Sequence, residues 1–385
     1  MVYKLNDRTA LRGGWGVFYN LFDRVGSEDQ LALNVPGLVN TALTRTSGSP
    51  LFFLQTGIPN NFLKLPNLDP SVGELKSIRI RAVSNDAPKS MTQQASAGLQ
   101  RELPGDVVLS GDFVYTRGSN LATLVNLNQP QPSVPGATNA KGALPYSNFG
   151  FIEWRAQNGK SEYAGLDLGI DRRFKNGFSA GVAYTLSQSK DNTSEQLTTQ
   201  GSNAFPQNSR DVSNWYGPSD FDVRHRLNVN FVFSPAGRNL VTRDWTVSGV
   251  WAVRSGRPFT VNQSTNNVGT NMFGLPDLTG DATGSQTVDK WFNASAFTPV
   301  ASGVFGNERR NQLTGPGFQS FDMTVQRAIK AGGHTSLTLR WDVFNLFNTT
   351  NFGLPNRNIS GGDVATITSL SGDARTMQLA ARVTF

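Results

Sequence analysis

The stretch Arg375-Thr-Met-Gln-Leu-Ala-Ala-Arg-Val-Thr-Phe385 ends the chain and decides its fold class. Side chains alternate between the two faces of an extended strand. Met377, Leu379, Ala381, Val383 and Phe385 therefore share one face, and Thr376, Gln378, Ala380, Arg382 and Thr384 the other. One face is apolar and the other carries an arginine. A strand in the wall of a transmembrane β-barrel needs this pattern, because it meets lipid on one side and a wet lumen on the other.

The same pattern recurs along the chain. Ten segments, 9–20, 93–102, 107–117, 161–173, 177–188, 222–233, 245–254, 319–328, 335–347 and 375–385, read as strands of barrel length. In 177–188, for example, Phe178, Ala180, Val182, Tyr184 and Leu186 oppose Ser179, Thr185 and Ser187. The connections alternate in length. Short ones fall at 103–106, 175–177, 234–244 and 330–333, and long polar ones at about 21–91, 118–160, 189–220, 255–318 and 348–374. Short turns on one side and long loops on the other describe an outer-membrane barrel, whereas a soluble sandwich has no reason to sort its loops this way. Asn176-Gly177 is the sharpest turn signal, since both residues tolerate the positive φ of a type I′ hairpin.

Composition narrows the chemistry. Only 38% of the 385 residues are hydrophobic and no run approaches the roughly 20 apolar residues of a membrane helix. Cysteine is absent, which removes disulfides, thiolate metal sites and cysteine nucleophiles. The net charge of +7 is scattered, with Arg172–Arg173 and Arg309–Arg310 as the only doublets singled out, so no nucleic-acid stripe is expected. No metal or cofactor motif is read. The N-terminus Met-Val-Tyr-Lys-Leu-Asn-Asp-Arg lacks an apolar core, so a signal peptide is not expected in this chain.

In order, Leu11-Arg-Gly-Gly-Trp-Gly-Val-Phe-Tyr19, Tyr163-Ala-Gly-Leu-Asp167, Arg172-Arg-Phe-Lys-Asn-Gly-Phe178, Tyr184-Thr-Leu-Ser187, Ser219-Asp-Phe-Asp-Val-Arg-His-Arg226, Ser255-Gly-Arg-Pro-Phe259, Trp291-Phe-Asn293, Gly315-Pro-Gly317 and Phe344-Asn-Leu-Phe-Asn348 run through most of the chain and end in a terminal phenylalanine. This succession resembles the C-terminal part of a TonB-dependent outer-membrane receptor, closest to the Oar-like group with a carboxypeptidase-regulatory-like domain. The resemblance implies a barrel of about 22 strands filled by a plug. It further implies that residues 1–385 are the C-terminal portion of that barrel, an antiparallel all-β fragment of about ten strands. The plug, TonB box and signal peptide would then lie outside the chain, as expected of a truncated gene or a misplaced start.

The partners implied are outer-membrane lipid, the plug and remaining strands, the TonB complex, the barrel-assembly machinery and an unidentified extracellular ligand. Met377, Leu379, Ala381, Val383 and Phe385 resemble the C-terminal signal read by that machinery. Arg12, Asp112, Asp167, Asp171, Arg226, Arg340, Asp342 and Arg382 fall on the lumenal face, where they would pair across strands or meet a plug. The long loops, with Trp291 and Phe292 in 255–318, are where a ligand would first touch. Covalent chemistry is not expected. The alternatives are a stand-alone barrel acting as an adhesin, and an omptin-like protease using His225 with Asp220 or Asp222 at the extracellular rim. The second histidine, His334, follows a Gly-Gly turn.

Overall fold

In the computed structural model, residues 1–20, 74–84, 86–194, 205–237, 241–264, 268–270, 274–332 and 334–385 are described, with Asn34, Gln55, Gly57, Asp69 and Asn239. Much of the expected loop 21–91, the centre of 189–220 and Gly333 of the 330–333 turn lie outside the described residues.

One antiparallel sheet organises the chain. Its path runs β1 (Val2–Asn6), β2 (Thr9–Asn20), β3 (Ser90–Leu103), β4 (Val107–Asn126), β5 (Ile152–Lys175), β6 (Phe178–Asp191), β7 (His225–Phe233), β8 (Trp245–Arg254), β9 (Phe318–Gly332), β10 (Thr335–Phe344) and β11 (Thr376–Thr384), each paired with the next. All ten expected strands are present. The hairpin partner Val2–Asn6 was not foreseen, because five residues are too few to show a period. Among the described residues β1 and β11 do not pair, so the sheet is open. No helix there is long and apolar enough to cross a membrane.

Register fixes the faces. Met377, Leu379, Ala381 and Val383 lie opposite Val343, Trp341, Leu339 and Leu337 of β10. Trp15, Phe113, Leu166, Leu168, Ile170, Trp251 and Leu339 share this apolar side and stand exposed. In water such a surface would be unstable; against hydrocarbon it is the favoured one. The turns obey their sequence chemistry. Asn176 and Gly177 both take positive φ, 53° and 79°, and a side chain on Gly177 would strike the carbonyl of Ser234.

The buried core lies elsewhere. The described parts of the long connections 127–151, 192–224, 255–317 and 345–375 gather at one end of the sheet into a head. Phe259, Val261, Phe292, Ala296, Phe297 and Ala365 form its centre, with Phe292 ring centroids 5.7 Å from Phe259 and 5.8 Å from Phe297. Backbone bonds join the connections: Ala140 donates to Gly303 at 2.8 Å and Trp291 to Ala365 at 2.8 Å. Strands β4 and β5 run on into the head, so the expected loop 118–160 is shorter than its polar composition suggests.

Candidate functional site: the polar wall and the loop head

Each polar residue foreseen for the lumen lands on one face. Arg12, Gly98, Asp112, Asp167, Thr185, Arg226 and Arg254 stand directly opposite one another in a single row across β2 to β8. Asp171 follows two repeats away, in a row with Gly181 and Asn230. Arg340, Asp342 and Arg382 occupy the same face on β10 and β11, opposite Ala380, Gln378 and Thr338.

One contact in the row skips a strand, and the others join directly opposed or next-but-one neighbours. Arg12 grips Asp112 in a two-pronged ion pair, its Nε donating at 2.6 Å, although β3 lies between them. The residue between is Gly98, and a Cβ there would overlap the Asp112 carboxylate. Gly181 lies between Asp171 and Asn230, and a Cβ there would crowd both side chains. Thr185 donates to Asp167 at 2.6 Å, and Thr324 and Arg340 Nε donate to Asp342 at 2.5 and 2.8 Å. Among the described residues Asp171, Arg226 and Arg382 have no ion-pair partner. Directly opposed Arg226 and Arg254 repel, and Arg254 instead lies over the Phe318 ring, 5.0 Å from its centroid. The wall thus presents three aspartates, Asp112, Asp167 and Asp171, around a hollow of about 240 Å³, flanked by arginines on both sides.

In the head, Arg310 is buried and bonds Asp191 at 2.7 Å and Asp220 at 3.2 Å, tying the 255–317 connection to the end of β6. The adjacent pair in sequence had shown no such difference; Arg310 is a structural staple. Burial pushes the Glu308 carboxyl up to about 7, which the Arg309 backbone amide only partly offsets. Asp222 is likewise raised by burial, against a hydrogen bond from the Ser189 amide.

Two expectations about the head are corrected or redirected. Phe292 is 2% exposed and fills the core, so it cannot be a first contact for a ligand; the adjacent Trp291 donates its indole N–H to the Thr314 carbonyl at 2.8 Å. His225 is not brought to an acid. Its Nδ1 meets the Tyr184 hydroxyl at 2.8 Å on the outward face, while Asp220 is engaged by Arg310 and Asn311, and Asp222 by Ser189. Nothing in the sequence marked Gly98 and Gly181 as seats for neighbouring side chains; the signal was their place in the register, which needs the pairing to be known.

The sequence profile of the outer membrane beta barrel domain family matches residues 1–378. No curated protein matches the chain by sequence. Solved outer-membrane proteins align with nearly the whole chain. The outer membrane transporter YddB from Escherichia coli aligns with a TM-score of 0.50 at 12% identity, over 99% of this chain and 39% of its own. The pyoverdine outer membrane receptor FpvA from Pseudomonas aeruginosa aligns at 0.45 and 13%, over 100% and 35%. The ferric-catecholate import receptor Fiu from E. coli aligns at 0.43 and 14%, over 99% and 33%. The chain spans about two fifths or less of the length of these proteins.

Proposed function

Since the chain belongs to the outer membrane beta barrel domain family, we propose that it is the wall and extracellular head of a TonB-dependent receptor that takes up a ligand across the outer membrane. The observation that carries the reading is the pairing of an unbroken two-faced wall with a packed head. Eleven antiparallel strands keep exposed apolar side chains on one side and Arg12, Asp112, Asp167, Arg226 and Arg340 on the other. A wet lumen already favours a polar inner face; charges set in register across neighbouring strands also suit a polar partner. A polar plug, pressed against that face, would use them.

The open edges fit the same reading. β1 and β11 each leave a row of backbone groups unpaired among the described residues, and in hydrocarbon each such group costs several kcal/mol. Further strands of the same receptor would cover both edges, and the C-terminal residues Met377 to Phe385 would be read by the barrel-assembly machinery. Covalent chemistry is no part of this function. The ligand would meet the head first, then the polar wall, and energised TonB would move the plug aside.

The test is uptake by cells producing the complete reading frame that contains this chain, with and without functional TonB. Accumulation of one member of a panel of ferric siderophores, oligosaccharides and peptides, lost when TonB is removed, is the expected result. Equal uptake in both strains, or a frame with neither plug nor further strands, would overturn the receptor reading.

A further inference from the structure

A cavity of about 980 Å³ opens against the outer side of the wall, where β4 and β5 leave the apolar band and the segment 210–216 folds over them. Alternation places its floor. Tyr115 and Arg117 continue the face of Leu109 and Phe113, and Lys160 and Glu162 continue that of Leu166 and Leu168. One step of two residues along a strand is about 7 Å, so the cavity begins at the level of lipid headgroups rather than of acyl chains.

Its charges are arranged unevenly. Glu162 accepts from the Tyr115 hydroxyl at 3.2 Å and the Tyr216 hydroxyl at 3.4 Å, and Asp211 accepts from the Ser213 amide at 3.0 Å and Asn214 at 3.2 Å. Both carboxylates are thus occupied by neutral donors. Arg210 spends its guanidinium on the carbonyls of Pro130 and Gln129, which leaves its charge unbalanced. Among the described residues Arg117 and Lys160 have no ion-pair partner, although Arg117 on one side and Lys190 on the other stand opposite Glu162 in register. The cations outnumber the acids, and the two tyrosine rings sit where amphipathic rings favour a membrane boundary.

We propose that this cavity seats the phosphate group of a membrane lipid, with Arg117 and Lys160 binding its oxygens and the acyl chains running down the apolar face toward Phe113 and Leu166. The site is continuous with the lipid-facing surface, and a phosphate monoester or diester supplies the acceptors that two unpaired cations lack. The inference rests on the orientation of the wall in the membrane and not on the transport reading, so either can fail alone.

The purified full chain in neutral detergent, offered dipalmitoyl phosphatidic acid or dipalmitoylglycerol, provides the test, with retained lipid counted by native mass spectrometry. Preferential retention of the phosphatidic acid is expected. Arg117→Gln with Lys160→Gln should weaken it roughly tenfold, the scale of two charge-assisted contacts near a surface, while Arg117→Lys with Lys160→Arg keeps it. Both side chains are exposed, and the single Arg117→Gln variant carries the same comparison if the double one melts early. Equal retention of the neutral lipid, or full retention by the glutamine variants, would overturn the proposal. So would displacement of the lipid by inorganic phosphate alone, which would mark a site for free anions.

Discussion

Phe292 in the head and Leu379 in the wall are both large apolar side chains, and the molecule treats them in opposite ways. Phe292 is 2% exposed among Phe259, Phe297 and Ala365, whereas Leu379 is 81% exposed on the outward face of β11. The head is an ordinary water-soluble core in which apolar groups leave solvent for one another. The wall has no such core: its strands are two residues deep in contrast, apolar outward and polar inward, and lipid takes the place of the interior. The comparison explains why most of the strongly buried hydrophobic residues lie beyond the membrane part, with Val343 of β10 an exception.

Truncating one residue of each region breaks the comparison most directly. Phe292→Ala should cost the head about 3–5 kcal/mol, the range for a buried aromatic, while Leu379→Ala in lipid should cost well under that because no packed cavity is left. Urea titrations followed by a head probe and by strand circular dichroism should show an early head transition in the first variant alone. A single shared transition shifted equally by both would mean that head and wall do not differ as described. The wall has its own sensitive direction. Leu168→Arg places a cation on the lipid face of β5 and should destabilise the lipid-embedded protein by roughly 2–4 kcal/mol, whereas Asp289→Arg at an exposed site in the head should leave it nearly unchanged. Equal tolerance of both substitutions would argue against lipid contact at Leu168.

The two regions also differ in how far the sequence reveals them. A strand in a membrane wall states its orientation in every second residue, so all ten expected strands and the common face of Arg12, Asp112, Asp167, Asp171, Arg226, Arg340, Asp342 and Arg382 could be read from alternation alone. The head has no period. Phe259, Val261, Phe292, Phe297 and Ala365 come from connections more than one hundred residues apart at their extremes, and composition made those connections look like solvated loops. Phe292 was misplaced for that reason: an aromatic in a polar loop looks available until its partners are known. Arg310 and Glu308 were illegible on the same grounds, since neither differs in sequence from an exposed neighbour.

Glu308 turns this buried chemistry into a pH dependence. Its carboxyl ionises near 4.5 in the unfolded chain and near 7 in the folded head. Below pH 4.5 it is protonated in both states and contributes nothing. As pH rises from 4.5 to about 7 the unfolded state gives up its proton first, so head stability falls, by at most about 3 kcal/mol at 1.36 kcal/mol per unit, and levels off above pH 7. Glu308→Gln should therefore raise head stability at pH 8 and leave it unchanged at pH 4. A variant that gains nothing at pH 8 would show that the ionised carboxylate finds compensation in the head.

Gly98 offers the finest distinction, because it asks whether the lumenal charges are wall or site. The Arg12–Asp112 pair spans β3 only because Gly98 has no side chain, and alanine there would push the Asp112 carboxylate aside. Both partners are partly exposed to the lumen, so the pair should be worth no more than about 1 kcal/mol, and Gly98→Ala should lower wall stability by that amount or less, partly offset by the better strand conformation of alanine. If the charges serve only to brace the wall, this loss is the whole effect, and Asp112→Asn should reproduce it with no change in uptake by the complete receptor. If the row meets a plug, Gly98→Ala and Asp112→Asn should both reduce TonB-dependent uptake by more than their small stability cost explains. Uptake that follows stability alone, across these two variants and Arg226→Gln on the unpaired side of the same row, would assign the row to the wall.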